Sequence, residues 1–203
     1  MIYLYKDHDF MFYHMYKCGG TSVKKLLFRL NKDAEMLTGK KQQGETFGKG
    51  HEPLSLYKNK VDYNNYRLYA NIRNPYARIV SMYEFVSQMK RANIRYKDLT
   101  FKRFFYEWFL NEKQNKRYPE FSSQQDSLFV EGKLPETLFT IKLEDVDRFW
   151  PRIIKKHFNF DMQFMPRFNT TVHQKDTMEY FDADMIKEVK KKEAWAIDQY
   201  CLY

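Results

Sequence analysis

The stretch FMFYHMYKCGGTSVKKLL, Phe10 to Leu27, decides the fold. Phe10 to Met15 is an apolar, aromatic run, the pattern of a buried strand. Lys17, Cys18, Gly19 and Gly20 follow, then two hydroxyls, Thr21 and Ser22. Val23, Leu26, Leu27 and Leu30 then recur at helical spacing. The stretch therefore reads as strand, tight loop, helix. The first N–H groups of a helix have no partner inside it and lie at the positive end of its dipole. Glycines let the backbone close on an anion, Lys17 adds a mobile charge, and the hydroxyls add donors. Such a loop is a cradle for phosphate or sulfate; the plainer alternative is a strand-to-helix turn capped by Thr or Ser. It is not a Walker A loop, because GxxxxGK[ST] is absent.

Further along, Tyr66 to Ile72 reads as a second strand ending at IRNP, and Pro75 suits the first turn of a helix. Tyr76, Ile79, Val80, Tyr83 and Val86 form the apolar stripe of that helix. Phe101 to Leu110 predicts a short aromatic helix, and SSQQDSLFV begins another. Leu138 to Leu143 is a third strand, followed by Val146, Phe149, Trp150, Ile153, Ile154 and Phe158 at helical spacing, interrupted by Pro151. Met185, Ile186, Val189, Ala196, Ile197 and Tyr200 mark one last helix. Asn31 to Gly50 and the segment MPRFNTTVHQKDTMEYF read as loops. Strands alternating with helices imply an α/β fold around a parallel sheet. In such sheets ligands collect beyond the carboxyl ends of the strands. The 203 residues fit one domain, 1–203.

The chain carries 35 basic and 26 acidic residues, a formal net charge of +9, which favours anionic partners. Two cysteines, Cys18 and Cys201, make neither a disulfide framework nor a zinc motif. Charge comes too early for a signal peptide, and no stretch approaches a membrane span. The expectation is a soluble, cytoplasmic protein.

Two further motifs carry chemistry. In IRNPYARIVSMYEF, Arg73 closes a strand and Ser81 follows on the helix. A guanidinium binds phosphate bidentately and keeps its charge, and Ser81 could share that phosphate. The alternatives are a surface salt bridge for Arg73 and a back-bond into the helix for Ser81. Arg78, between them, could pair with a carboxylate such as Glu144. In GKGHEPL, His51 lies in a glycine-flanked loop, where a neutral imidazole could take a proton from a hydroxyl. Glu52 beside it is a second candidate base or an orienting group. His8, His14, His157 and His173 compete with His51 for the role.

The order and wording of these motifs resemble the carbohydrate sulfotransferases, in particular the branch with 2-O- and 6-O-sulfating glycan enzymes. FMFYHMYKCGGTSVKKLL resembles their 5′-phosphosulfate loop, departing at Cys18, where Thr or another small residue is more common. RNPYARIVSMY resembles their 3′-phosphate motif. GHEPL, FTIKLEDV, RFNTT and the closing Asp198 to Tyr203 resemble later segments. The resemblance implies a three-layer, P-loop-like fold and the donor 3′-phosphoadenosine 5′-phosphosulfate (PAPS), with PAP as product and no metal. It implies that Lys17, Cys18, Gly19, Gly20, Thr21 and Ser22 hold the 5′-phosphosulfate. Arg73 and Ser81 would hold the 3′-phosphate, His51 would deprotonate the acceptor hydroxyl, and Lys17 would neutralise the leaving oxygen. The implied acceptor is a glycan hydroxyl, with Trp108, Lys113, Lys116, Arg117 and Tyr118 as cleft candidates; no nucleic acid and no membrane span are implied. The competing readings are a magnesium-dependent nucleotide kinase using Asp145 and Asp147, and a basic nucleic-acid-binding module.

Overall fold

A computed structural model describes residues 1–30, 35–37, 50–88, 99–168 and 176–202. The aromatic run forms β2 (Phe10–Tyr13) and the glycine-led segment forms α1 (Gly20–Leu30). The other strands are β1 (Ile2–Tyr5), β3 (Glu35–Leu37), β4 (Arg67–Ile72) and β5 (Leu138–Lys142). They make one sheet in the order β3-β1-β2-β4-β5. β2, β4 and β5 run parallel, with Tyr13 opposite Ala70 and Ile72 opposite Lys142. β1 pairs antiparallel with both β2 and β3.

The expected parallel core is therefore extended by an antiparallel edge. β1 was hidden because its four apolar residues lie just before a charged turn, and β3 because it lies inside a stretch read as loop. The rest of that stretch (31–34 and 38–49), residues 169–171 of RFNTT, His173 and Tyr203 lie outside the described residues.

β1 and β2 are buried on both faces, so alternate side chains feed two cores. Tyr3, Phe10, Phe12 and Tyr69 pack on one face against Val23 and Leu27 of α1 and against Trp150 and Ile154 of α6 (Val146–Phe158). Ile2, Leu4, Met11, Tyr13, Leu68 and Ala70 pack on the other against Leu54, Tyr57 and Leu128 of α5 (Gln124–Leu128). This is the three-layer arrangement. A third cluster joins the stripe of α2 (Pro75–Gln88) to α3 (Phe101–Phe104), whose chain continues into a π turn, Phe105–Phe109. α4 (Glu112–Arg117) has no buried residue.

Two expectations about helices change. α6 runs through Pro151, and the fully buried Trp150 and Ile154 beside that residue hold it against the sheet. The expected last helix is two, α7 (Ala183–Lys192) and α8 (Ala194–Tyr200), broken at Glu193. Glu193 leaves helical geometry (φ −106°, ψ 27°) while its carboxylate points into the core.

Two polar bonds bolt the sheet to α6, Trp150 Nε1–H to Asn71 Oδ1 at 2.8 Å and Tyr69 O–H with His157 Nε2 at 2.9 Å. Replacing Trp150 by Phe keeps most of the ring and leaves a buried acceptor unmet. The expected loss is about 1–3 kcal/mol, read from urea denaturation.

Candidate active site

β2 and β4 are neighbours and parallel, so their carboxyl ends open side by side. The loops leaving those ends carry Lys17 and Arg73. Lys17 adopts the left-handed conformation (φ 60°), and so does Gly19 (φ 73°), where a side chain would be strained. A Cβ on Gly19 would also lie 2.5 Å from Leu143 Cδ1. Gly20 opens α1, and a Cβ there would lie 2.0 Å from Cδ2 of the His14 ring. The loop is thus a turn stripped of side chains, pressed between His14 and Leu143.

Arg73 Nη1–H donates to the Lys17 carbonyl at 3.2 Å, joining the two motifs. Their charges stand close, and neither residue forms an ion pair among the described residues, although the carboxylates of Glu84 and Glu144 act on Lys17 and Arg73 from further away. Lys17 Nζ instead sits 4.3 Å from the centre of the Phe85 ring. Burial, followed by the Arg73 charge, pulls the Lys17 ammonium down to about 8.

Cys18 is buried, its thiol directed to Tyr16 O at 3.5 Å and Gln124 Oε1 at 3.8 Å, and burial pushes it up to about 11. Only its backbone can serve a ligand here. Thr21 and Ser22 lie in the first turn of α1, partly exposed. The Ser22 hydroxyl accepts from Phe168 N–H at 3.0 Å, which ties the distant 160s segment to the loop and leaves its own proton to give.

Ser81 lies on α2 but is fully buried, and its hydroxyl has no hydrogen-bond partner. It does not touch Arg73 through a hydrogen bond. Asn71 Nδ2 is likewise buried without a partner, 3.9 Å from the place a Gly19 Cβ would take. Buried polar groups are normally paired; these two atoms, like those of Tyr5, Asn115 and Glu120 elsewhere, have no hydrogen-bond partner among the described residues.

His51 is brought to the same loop. Its Nδ1–H donates to the His14 carbonyl at 3.2 Å, since that carbonyl can only accept. Nε2 is therefore the unprotonated nitrogen. The ring meets His14 edge-on at 4.9 Å and Tyr16 at 4.8 Å. Burial chiefly pulls the imidazole down to about 4, and the charges of Arg78 and Lys17 add to this. Glu52, the other candidate, is held by two tyrosines. Its carboxylate accepts from Tyr57 O–H at 2.8 Å and its carbonyl from Tyr13 O–H at 3.1 Å, fixing the loop to the core. Of the competitors, His8 and His157 are linked to each other's carbonyls and to Tyr69, away from the loop.

Arg78 does not pair with Glu144, whose carboxylate accepts from Tyr200 O–H at 2.7 Å. It is buried against Glu193, Nη1 to Oε1 at 3.0 Å, and donates to the carbonyls of Tyr16, Glu120 and Ser122. Sequence reasoning missed Glu193 and Gln124. Gln124 lies in a polar run that resembles any surface turn, so only the fold reveals its burial.

Of the cleft candidates, Lys116 lines a cavity of about 700 Å³ that reaches Pro53, near His51 in sequence. Arg117 folds over the Tyr118 ring at 5.3 Å, and Trp108 packs against Tyr118. Neither this cavity nor a second one of about 660 Å³ is lined by Lys17, Arg73 or His51.

A glycine turn at the start of a helix, two neighbouring cations and a neutral imidazole have the chemistry to receive a phosphorylated or sulfated anion. A model described as the sulfotransferase family matches residues 2–191. The chain belongs to the sulfotransferase family. It is a sulfotransferase by that membership, and its α/β sheet flanked by helices is consistent with the fold of that family. No curated protein and no solved structure matches the chain. Of the two carboxylates named for the kinase reading, Asp147 accepts from Arg167 at 2.9 Å and from Met165 N–H. No helix among the described residues is long and apolar enough to cross a membrane.

The close seat of Gly20 on His14 yields a double-mutant test. Gly20→Ala should cost about 1–3 kcal/mol through overpacking. In a His14→Ala background that cost should largely vanish, as a denaturation cycle would show.

Proposed function

We propose that this sulfotransferase uses PAPS as donor, in one domain, and sulfates a hydroxyl of a carbohydrate acceptor. The observation that carries the reading is the pairing of Lys17 with Arg73 at the mouths of β2 and β4, with no ion pair to either among the described residues. Two cations are not held together and half-buried without a purpose for their field. The fit to a nucleotide with anions at both ends is supported by three features. The glycine turn leaves room that side chains would fill, the orphaned Ser81 hydroxyl waits in the helix that follows Arg73, and Asn71 Nδ2 waits behind Gly19.

The roles follow the chemistry of each residue. Lys17 and the N–H groups of Cys18, Gly19, Gly20, Thr21 and Ser22 are assigned to the 5′-phosphosulfate, and Arg73 and Ser81 to the 3′-phosphate. PAPS supplies a sulfuryl group on a phosphate leaving group. His51 Nε2 takes the proton of the acceptor hydroxyl as its oxygen bonds to sulfur and the bond from sulfur to the phosphate oxygen breaks. Lys17 sits where it can neutralise the charge left on that oxygen. The His51 loop, GHEPL, carries the likeness to the 2-O- and 6-O-sulfating branch, and with it the preference for a glycan. The cavity lined by Lys116, Lys191 and Lys192 together with Glu112, Asp126 and Glu188 is the proposed place for part of a sugar chain.

Calorimetry with PAP, beside AMP and magnesium-ATP, tests the donor. Selective PAP binding, lost in Arg73→Ala, is expected; equal binding of ATP only with magnesium would overturn the reading. The Lys17 ammonium is charged below about 8 and neutral above it. PAP affinity should therefore fall as pH rises from 7 to 9, with proton uptake on binding at the upper end. Lys17→Arg should flatten that dependence, because a guanidinium keeps its charge. With labelled PAPS and a panel of glycans, His51→Ala should lower transfer by about 10²–10⁴ while PAP binding persists.

A further inference from the structure

Arg73 stands one residue past the end of β4, where the ladder of strand partners stops. A main chain that leaves a sheet must find new partners for its N–H and carbonyl groups. The side chain of Gln124 supplies both. Its Oε1 accepts from Arg73 N–H at 3.0 Å and its Nε2–H donates to the Arg73 carbonyl at 2.8 Å. A carboxamide thus takes the place of a neighbouring peptide and continues the ladder by one residue. The same Oε1 receives the Cys18 thiol at 3.8 Å, so this one amide touches both anion-binding motifs.

Gln124 is itself locked. It is 0% exposed and opens α5, so its backbone N–H lacks a partner within the helix. Glu193 Oε2 takes that N–H at 3.0 Å, while Glu193 Oε1 holds Arg78. The chain of bonds runs from the break between α7 and α8, through Gln124, to the backbone that aims the Arg73 guanidinium at Lys17 O.

We infer that Gln124 is a positioning residue that sets how strongly the site prefers a nucleotide with a 3′-phosphate. This rests on the assignment of Arg73 to the 3′-phosphate. A guanidinium grips phosphate well only when its fork is correctly aimed, and a backbone free to swing loses that aim. Loss of Gln124 should therefore weaken contact with the 3′-phosphate and spare the rest of the nucleotide.

The test compares calorimetric affinities for PAP and for 5′-AMP, which lacks the 3′-phosphate, in wild type, Gln124→Met, Arg73→Ala and the double variant. Methionine keeps the shape and removes both bonds. PAP binding should weaken about tenfold in Gln124→Met, with AMP binding little changed. Added to Arg73→Ala, Gln124→Met should cost nothing more in PAP affinity. Should Gln124→Met fail to fold, Gln124→Leu serves instead, since it too removes both bonds and adds no charge. An unchanged PAP-to-AMP ratio in the Gln124 variant, while Arg73→Ala abolishes it, would overturn the inference and leave the donor reading intact. An equal weakening of both ligands would mark Gln124 as merely structural and also overturn it. No preference for PAP in the wild type would overturn the 3′-phosphate assignment itself.

Discussion

The site depends on one buried ion pair. Arg78 and Glu193 are 1% and 0% exposed and meet at 3.0 Å. Stripping water from two charges is expensive, and their attraction repays it only when the remaining donors are also met. Here they are: the guanidinium reaches the carbonyls of Tyr16, Glu120 and Ser122, and the second carboxylate oxygen takes Gln124 N–H. Tyr16 leads directly into Lys17, and Gln124 grips Arg73. The pair therefore fixes the backbone beside Lys17 and beside Arg73 without touching either side chain. Breaking such a pair by removing one member typically costs about 3–5 kcal/mol, because the survivor is left charged in the core.

Around this scaffold the active groups are held under tension of charge rather than of geometry. Lys17 and Arg73 repel, and an aromatic face at Phe85 is the nearest comfort for the Lys17 ammonium. His51 is kept neutral by burial and oriented by a main-chain carbonyl, which leaves Nε2 as the basic nitrogen. An electropositive loop beside a neutral imidazole suits a reaction in which an anionic donor meets an alcohol.

The sequence made the three parallel strands and the glycine loop legible because buried strands and anion loops are written in contiguous residues. Arg73, Lys17 and His51 were found as local patterns, and the fold brings Lys17 together with each. What it hid was non-local. Glu193 lay inside an apparently continuous helical stripe, and only its partner Arg78 explains why α7 and α8 separate there. Gln124 had no motif around it. For Arg78 the sequence suggested a carboxylate such as Glu144, and the partner is another, Glu193, because pairing across the chain leaves no local mark. Ser81 followed from its spacing on α2, but spacing does not reveal that this face of the helix is covered. β3 was lost within a polar stretch, since three residues are too few to set a period.

The span of the bonds that build the site has a consequence for how the protein comes into being. Arg78 reaches Glu193 across 115 positions, Gln124 reaches Glu193 across 69, and Arg73 reaches Lys17 across 56. Contacts so far apart in sequence close late, because long loops must lose their freedom before any bond rewards them. On a chain emerging from the ribosome, the glycine loop is made early but is not aimed until Glu193 has emerged and docked. A partly synthesised chain thus carries the glycine loop, yet lacks the brace that fixes its backbone.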